Sequence, residues 1–485
     1  MQPVLRDPSL LKHQAYASGQ WYDAEGGAVL EVRDPADGEL LGSVPDLSCA
    51  EVDRAIAAAA QAMEVWKREP AHVRSQILRR WHELFVANTE DLAAILTAEQ
   101  GKPLAEARGE IAYAAAYLEG FASEATRIDG EILPGPSSDR RILVLKEPVG
   151  VCAAITPWNF PQAMVTRKIA PALAAGCAIL LKPASQTPFS ALALAELALR
   201  AGLPPGLFSV VTGKASTIGS SLTTSPVIRK LSFTGSTEVG KLLIRDCATT
   251  VKRVTMELGG NAPFLVFEDA DLEAAVEGLM ISKFRGSGQT CICANRILVD
   301  VRVADRFTAI LGAAIEKLRI GPGTHPETTQ GPLIDQTAVE KIERLIADAV
   351  AKGAAVLIGG KRHALGGTFF EPTILTACNS SMGVAREEIF GPVAPIFTFE
   401  GEAQAIAAAN ATEFGLAAYF YSRDLARVWR VAEALECGMV GVNTGVISNA
   451  TAPFGGTKES GYGREGSRHG INDYLSLKYV CVAGL

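Results

Sequence analysis

A cysteine among small and polar residues is the first candidate for chemistry in this sequence. Cys291 lies at the centre of the segment GQTCICANR, residues 288–296. A thiol in such a setting acts as a nucleophile once it ionises. Most cysteines that are not in disulfides are simply small buried residues, so a catalytic role for Cys291 depends on what the rest of the chain supplies.

Two further polar side chains lie beside predicted strands and turns. Glu257 precedes the Gly-Gly turn of MELGGNAP, residues 256–263, and by itself it could equally be a surface acid. Asn159, in TPWNFP, follows the apolar strand 151–155. The carboxyl ends of parallel strands are where α/β sheets bind ligands. Asn159 is therefore expected at a binding edge.

A glycine-containing turn is a candidate phosphate site. The segment FTGSTEVG, residues 233–240, opens a helix after a strand, and the free N–H groups of a helix N-terminus suit a phosphate. The only G-x-G-x-x-G match, GYGREG from Gly461, lies outside any predicted strand–turn–helix unit, and we interpret it as chance.

Taken together, and in this order, these segments resemble the aldehyde dehydrogenase superfamily over essentially the whole chain. The segments EEIFGPV, residues 387–393, and PFGGTKESG, residues 453–461, match it as well. The resemblance implies an NAD(P)-dependent enzyme that oxidises an aldehyde. It also implies an α/β fold of the aldehyde dehydrogenase type, with two doubly wound open-sheet domains and a small β arm for oligomerisation.

The resemblance assigns catalytic roles to three residues. Cys291 would attack the aldehyde as a thiolate, and the Asn159 amide, with the Cys291 N–H, would hold the oxyanion of the thiohemiacetal. Loss of hydride to the nicotinamide would leave a thioester on Cys291. Glu257 would then activate the water that hydrolyses this thioester, with a pKa raised by partial burial.

The resemblance also implies a set of cofactor-binding residues. Glu388 would hold the nicotinamide ribose, and Phe390 would pack beside the nicotinamide ring. The others are Thr156, Pro157, Trp158, Lys182, Ala184, Ser185, Gly213, Gly219, Phe233, Gly235, Ser236 and Leu258.

Ser185 bears on the choice between NADP and NAD. Relatives that prefer NAD usually carry a glutamate at this position, where it binds the adenosine ribose hydroxyls and repels a 2′-phosphate. Ser185 removes that charge, and Lys182 offers a positive one. We expect NADP to be preferred and NAD to be usable; tolerance of both without preference is the alternative.

Within the superfamily, the chain is most similar to succinate-semialdehyde dehydrogenases, including in KPASQTPFSALALAELA from Lys182. In that group two arginines and a serine hold the distal carboxylate, and the matching positions are Arg167, Arg285 and Ser448. Either arginine could instead be a salt-bridged scaffold residue. Glutarate semialdehyde is the alternative substrate, since one methylene changes binding by only about 1–3 kcal/mol.

Other functions stay open at this point. In some relatives a cysteine at the position of Cys293 forms a reversible disulfide with the nucleophile, which is a hypothesis for this chain too. Coenzyme-A-acylating relatives generally lack the acid at position 257, so its presence favours hydrolysis. A non-catalytic structural or binding protein would be expected to have lost one of the three catalytic residues.

The elements that must position these residues follow from residue periodicity. Ser48 and Glu51 form a capping box that opens a helical region over 48–128, with one of its helices over 75–97. Strands then alternate with helices, which indicates parallel sheets covered on both faces. The predicted strands are 151–155, 177–181, 208–211 and 230–233, and the predicted helices include 163–175, 190–200 and 271–285.

We divide the chain into a dinucleotide-binding domain, a catalytic domain and an arm. The respective ranges are 1–128 with 148–257, then 258–455, and finally 129–147 with 456–485. In the arm, strands 141–146 and 478–482 are expected to pair with another subunit, in a homodimer or homotetramer; an edge pair within one chain is the alternative.

Composition excludes several classes of protein. The chain has 485 residues and a formal net charge of −7 without a dense Lys/Arg run, which argues against nucleic-acid or membrane-surface partners. Nine irregularly spaced cysteines do not form a disulfide framework, and the six histidines lack zinc-site spacing, so no metal is expected. The N-terminal residues lack a signal-peptide core, and we expect a cytoplasmic protein.

Overall fold

The computed structural model describes residues 3–484, and its larger sheet has eight strands. Its five central strands run parallel, and the strands at both edges are antiparallel. In spatial order the strands are β2 (Gln20–Tyr22), β1 (Ala15–Ala17), β9 (Phe208–Val210), β8 (Ile179–Lys182), β7 (Val151–Ile155), β10 (Ile228–Thr234), β11 (Arg253–Glu257) and β21 (Gly461–Tyr462).

The strand order of this sheet reverses between β7 and β10. The chain runs outward from β7 through β8 to β9. It then returns, and β10 and β11 follow on the opposite side of β7. Ligands of doubly wound sheets bind where the winding reverses, beyond the carboxyl ends of the strands. The segments that follow β7 and β10, residues 156–160 and 235–236, therefore flank the expected crevice.

A second doubly wound sheet follows along the chain. Six of its seven strands are parallel, and one edge strand is antiparallel. In spatial order they are β14 (Ala355–Ile358), β15 (Thr373–Thr376), β16 (Val393–Phe399), β13 (Ala294–Asp300), β12 (Ala262–Val266), β18 (Ala417–Tyr421) and β19 (Met439–Val442). The predicted α/β class with two open sheets is confirmed.

The helices begin where the sequence supplies caps and end at breakers. Ser48 and Glu51 form the predicted capping box, and Gly176 ends α5 with a left-handed φ of 96°. In the described residues the α-helices are α1 (Cys49–Trp66), α2 (Ala71–Ala87), α3 (Thr89–Gln100), α4 (Leu104–Glu124), α5 (Ala163–Ala175), α6 (Pro188–Arg200), α7 (Ala215–Thr224), α8 (Thr237–Cys247), α9 (Leu272–Phe284), α10 (Ala304–Ile315), α11 (Gln336–Ala351), α12 (Gly383–Arg386), α13 (Gly401–Asn410) and α14 (Leu425–Ala434).

One helix prediction is wrong. The expected helix over 75–97 is two helices, because the chain leaves helical geometry at Asn88, with φ −104° and ψ 19°. The Asn88 side chain donates to the carbonyl of Leu84 at 2.7 Å and so satisfies the end of α2. A short polar side chain that bonds the nearby backbone competes with helix continuation. None of the helices in 3–484 is long and apolar enough to span a membrane.

The arm is a three-stranded antiparallel sheet of β22 (Leu475–Ala483), β6 (Arg140–Pro148) and β5 (Glu131–Pro134). β22 and β6 pair along their whole length, from Leu475 opposite Pro148 to Ala483 opposite Arg140. The two predicted arm strands thus pair with each other within one chain, which was the alternative expectation. Pairing of the free edges with another subunit stays a prediction.

The other described strands form two two-stranded sheets. In these, β3 (Val29–Arg33) pairs with β4 (Leu40–Pro45), and β17 (Phe414–Gly415) pairs with β20 (Thr457–Lys458). The glycine-rich match at Gly461 falls in β21, which pairs antiparallel with the end of β11. It opens no helix, so it forms no dinucleotide fingerprint.

Candidate active site

Cys291 lies at the end of an irregular turn that joins α9 to β13. Gly286, Ser287 and Gly288 all have left-handed backbone, with φ of 58°, 57° and 76°. Gly260 passes so close that a Cβ there would come within 2.5 Å of the Cys291 carbonyl oxygen. The turn is thereby held against the start of the second sheet, which fixes the position of the thiol.

Two cavities meet at Cys291. One, which we call the inner cavity, has a volume of about 280 Å³, and the other, the crevice cavity, about 400 Å³. Cys291, Phe160 and Met164 line both. A nucleophile at such a junction can be reached from one side by an aldehyde and from the other by a cofactor.

Asn159 lies beside Cys291 in the crevice cavity. Its Nδ2 donates to the Gln289 carbonyl at 2.9 Å, and its Oδ1 is buried without a hydrogen-bond partner in the described residues. The Asn159 carbonyl accepts from Lys102 Nζ at 2.7 Å, which holds the turn after β7. One Nδ2 proton thus fixes the amide, while the other is free to serve as a donor near the thiol.

Glu257, the last residue of β11, is 2% exposed and lines neither cavity. Both of its carboxylate oxygens are buried without a hydrogen-bond partner in the described residues. Burial, followed by the nearby Glu465 carboxylate, raises the pKa of Glu257 well above its usual value, although Arg167 and Lys168 act in the opposite sense. A carboxyl group in this state is suited to accept a proton when it ionises.

The surroundings of Cys291 also disfavour the ionised form of its thiol. Burial raises the pKa of Cys291 to about 12, with the charge of Arg167 opposing that rise. At neutral pH the sulfur therefore carries its proton, and a base must take it for the thiolate to form.

Arg167 lies in α5, 1% exposed, and lines the inner cavity. It forms an ion pair with Glu465 and lies over the ring of Phe454, 4.1 Å from its centroid. Lys168 pairs with the same carboxylate. Burial alone would raise the pKa of Glu465, but Lys168 and Arg167 lower it overall. Arg167 thus has the partner expected of a scaffold arginine and also borders the cavity.

Arg285 and Ser448 line the inner cavity as well. Arg285 follows α9 directly, and its guanidinium lies 5.5 Å from the ring centroid of Phe160. Its Nε is buried without a hydrogen-bond partner in residues 3–484. The three residues predicted to bind a carboxylate are therefore brought together around one cavity, which Cys291 also lines.

The crevice cavity contains many of the predicted cofactor residues. They are Pro157, Trp158, Gly235, Ser236, Leu258, Glu388 and Phe390. Trp158 and Phe390 meet edge to face at 5.5 Å. Burial raises the pKa of Glu388 to about 7, although the Gly260 N–H, which donates to it at 3.2 Å, opposes that rise.

This crevice fits a dinucleotide. Gly235 packs directly against Phe233, whose ring a Cβ at position 235 would meet at 2.4 Å, so this position has room only for a glycine. Ser236 caps α8 and accepts from the Val239 N–H at 3.3 Å, so the helix N-terminus faces the turn. Thr234 Oγ1 is buried without a hydrogen-bond partner in the described residues. The crevice thus offers donors for a phosphate and a carboxylate for ribose hydroxyls.

The remaining predicted cofactor residues lie outside the lining of this cavity. The Thr156 N–H donates to the Lys182 carbonyl at 3.1 Å, and Lys182 Nζ lies 3.5 Å from Ser185 Oγ, next to Ala184. Burial lowers the pKa of Lys182 to about 8, so it is still largely charged at pH 7. Gly213 follows β9, and Gly219, within α7, has open space where a side chain would be.

Cys293, like Cys291, is a free thiol. It is buried, and its Sγ donates to the Lys283 carbonyl at 3.4 Å, on the side of α9. The disulfide hypothesis for these two cysteines therefore stays a prediction.

Several residues at the site carry no sequence signal of their own. Lys341 of α11 lines the crevice cavity, and Glu106 and Tyr113 line the inner one. Glu465 lies within the glycine-rich segment that we set aside as chance. These side chains reach the site only through pairings between elements far apart in sequence.

Comparison with known proteins agrees with this geometry. Residues 21–480 match the model of the aldehyde dehydrogenase family. Glutarate-semialdehyde dehydrogenase of Pseudomonas aeruginosa is 60% identical over 99% of this chain and 100% of its own. Succinate-semialdehyde dehydrogenase [NADP(+)] GabD of Escherichia coli strain K12 is 58% identical over 99% of both. The crystal structure of succinate-semialdehyde dehydrogenase from Burkholderia pseudomallei, 61% identical over 99% of both chains, superposes with a TM-score of 0.98. The chain belongs to the aldehyde dehydrogenase family and is an oxidoreductase that acts on aldehydes.

Proposed function

We propose that this enzyme oxidises succinate semialdehyde to succinate, with NADP as its preferred cofactor. The observation that carries the proposal is the position of Cys291 between two cavities, one lined by Arg167, Arg285 and Ser448 and the other shaped for a dinucleotide. The E. coli relative bears the name of this activity and of this cofactor. Glutarate semialdehyde is the second candidate, because the P. aeruginosa relative is named for it.

The residues around the thiol divide the chemistry between them. Cys291 gives its proton to solvent water and adds as a thiolate to the aldehyde carbon, which forms a thiohemiacetal whose oxyanion the Asn159 Nδ2–H and the Cys291 N–H stabilise. Glu388 and Phe390 would hold the nicotinamide, which when bound would supply the acceptor for the hydride that the thiohemiacetal loses on becoming a thioester. Glu257, once ionised, takes a proton from water, which attacks the thioester carbonyl and releases the acid and the free thiol.

A guanidinium that lines the inner cavity together with Cys291 would select an aldehyde that carries a second, anionic end. Arg285→Ala should raise KM for succinate semialdehyde about 10- to 100-fold, because it removes a charge-assisted pair, and should raise KM for butanal much less. Initial-rate kinetics with both aldehydes check this. Equal effects on the two aldehydes would contradict a carboxylate-binding role.

The cofactor preference is proposed to depend on the absence of a negative charge at position 185. Ser185→Glu should lower kcat/KM for NADP about 10- to 100-fold through repulsion of the 2′-phosphate, while NAD loses little or gains. Ser185→Gln is the matched control, with similar size and no charge. The proposal fails if the wild-type enzyme has the higher kcat/KM with NAD.

Side-by-side kinetics decide between the two substrates. The purified chain is assayed on succinate semialdehyde, glutarate semialdehyde and butanal with each cofactor, by absorbance of the reduced nicotinamide. We expect the highest kcat/KM for succinate semialdehyde with NADP. A preference for butanal would overturn the semialdehyde assignment, and a preference for glutarate semialdehyde would favour the second candidate.

We also propose that the enzyme is cytoplasmic and homo-oligomeric.

A further inference from the structure

The charges that line the inner cavity are not all paired. Lys102 Nζ lies 2.6 Å from the Glu110 carboxylate, and Arg167 is paired with Glu465. The other two charged lining residues, Arg285 and Glu106, have no ion-pair partner within 4 Å in the described part of the chain. Among the described residues, one cation and one carboxylate that line the inner cavity therefore lack a direct ion-pair partner.

Glu106 is fixed next to Arg285. It projects from α4, and its Oε2 accepts a hydrogen bond from the Gly286 N–H at 2.8 Å, one peptide unit beyond Arg285. Gly286 has a left-handed φ of 58°, so this bond also secures the turn that leads to Cys291. The carboxylate is therefore anchored at the backbone that follows Arg285, and both side chains line the inner cavity.

A carboxylate beside an anion-binding arginine costs affinity for anions. At an effective dielectric constant of about 20, a unit charge several ångströms away changes the affinity of a site for a second charge by about three- to thirtyfold. Oxidation of a semialdehyde adds a second negative charge, so the product is a dianion. A charge that weakens anion binding therefore acts more strongly on the product than on the substrate.

We propose that Glu106 is a specificity-determining residue whose carboxylate offsets the Arg285 charge, limits the affinity of the inner cavity for ω-carboxy aldehydes, and hastens the departure of the dicarboxylate product. This inference rests on the proposed function. Its chemical signature is an effect that changes sign with the charge of the ligand.

Glu106→Gln tests it, because glutamine keeps an oxygen for the Gly286 N–H and removes the charge. KM is measured for three aldehydes of equal chain length that carry a carboxylate, a methyl or an amino end. Relative to the methyl-ended aldehyde, the variant should lower KM for the carboxylate-ended one by about three- to thirtyfold and raise it for the amino-ended one. The inhibition constant of succinate should fall by at least as much as the semialdehyde KM.

Glu124→Gln is the matched control, since it removes one carboxylate from the same helix at a site that lines neither cavity. If Glu106→Gln does not fold, Glu106→Asp, which draws the charge back by one methylene, should give smaller shifts of the same sign. Equal shifts for all three aldehydes would overturn the proposal and leave Glu106 as an anchor of the turn. A wild-type enzyme that does not favour the carboxylate-ended aldehyde over the methyl-ended one would instead overturn the proposed function.

Discussion

Cys291→Ala should reduce the turnover of succinate semialdehyde by about 10⁴-fold or more. Loss of an enzyme nucleophile removes the covalent route altogether, and what is left comes only from binding and orientation. Because Cys291 is half-buried at the meeting point of two cavities, a methyl side chain at this position leaves the fold and both cavities in place. The assay is the formation of reduced nicotinamide.

The control for this prediction is Cys481→Ala. Cys481 is an exposed thiol in the arm strand β22, and it lines neither cavity. The Cys481→Ala variant should oxidise succinate semialdehyde at a rate within a factor of two of the unmodified protein. Circular dichroism and cofactor binding verify that the inactive variant is folded, and a folded Cys291→Ala protein with full activity would refute the covalent mechanism.

Glu257→Gln should separate the two halves of the reaction. Attack by Cys291 and hydride loss need no activated water, whereas hydrolysis of the thioester does. We therefore expect a burst of about one reduced cofactor per subunit, followed by a steady-state rate about 10²- to 10⁴-fold below that of the unmodified enzyme. Stopped-flow absorbance measures both phases, and Glu459→Gln, at an exposed acid, is the control.

The same carboxylate predicts the pH dependence. Burial raises the pKa of Glu257, so a larger fraction is protonated at any given pH than for an ordinary glutamate. Since only the ionised form can accept a proton from water, kcat should increase with pH through the raised pKa and decline below it. The variant should lose this increase. A steady-state rate in Glu257→Gln that kept both its size and its pH profile would show that another group activates the water.

Local sequence patterns predicted the parts of the site that follow a single strand. The apolar run before Thr156 and the glycine turn at Gly235 placed both segments at carboxyl ends of parallel strands, where the structure has them. These predictions succeed because strand, turn and helix cap are encoded within a few neighbouring residues.

Such local patterns could not predict which distant segments of the chain contact each other. The residues near Arg167 do not indicate that its partner is Glu465, almost 300 positions further along the chain. The sequence likewise does not indicate that Glu106 contacts the turn at Gly286. Both contacts arise only once the helices pack on the sheets. The break at Asn88 was missed for a different reason, since its side chain bonds its own helix and interrupts an otherwise periodic run.

The ion pair of Glu465 with Arg167 and Lys168 also bears on how the protein is made. Glu465 lies almost 300 residues further along the chain than its partners, which are in α5. Until that carboxylate arrives, two cations that end up buried have no counter-charge, and burial of an uncompensated charge costs several kcal/mol. A growing chain can therefore assemble most strands of both sheets but cannot close the region around the catalytic carboxyl group before Glu465 has been synthesised. Ribosome-bound or C-terminally truncated forms are expected to be folded in large part and inactive.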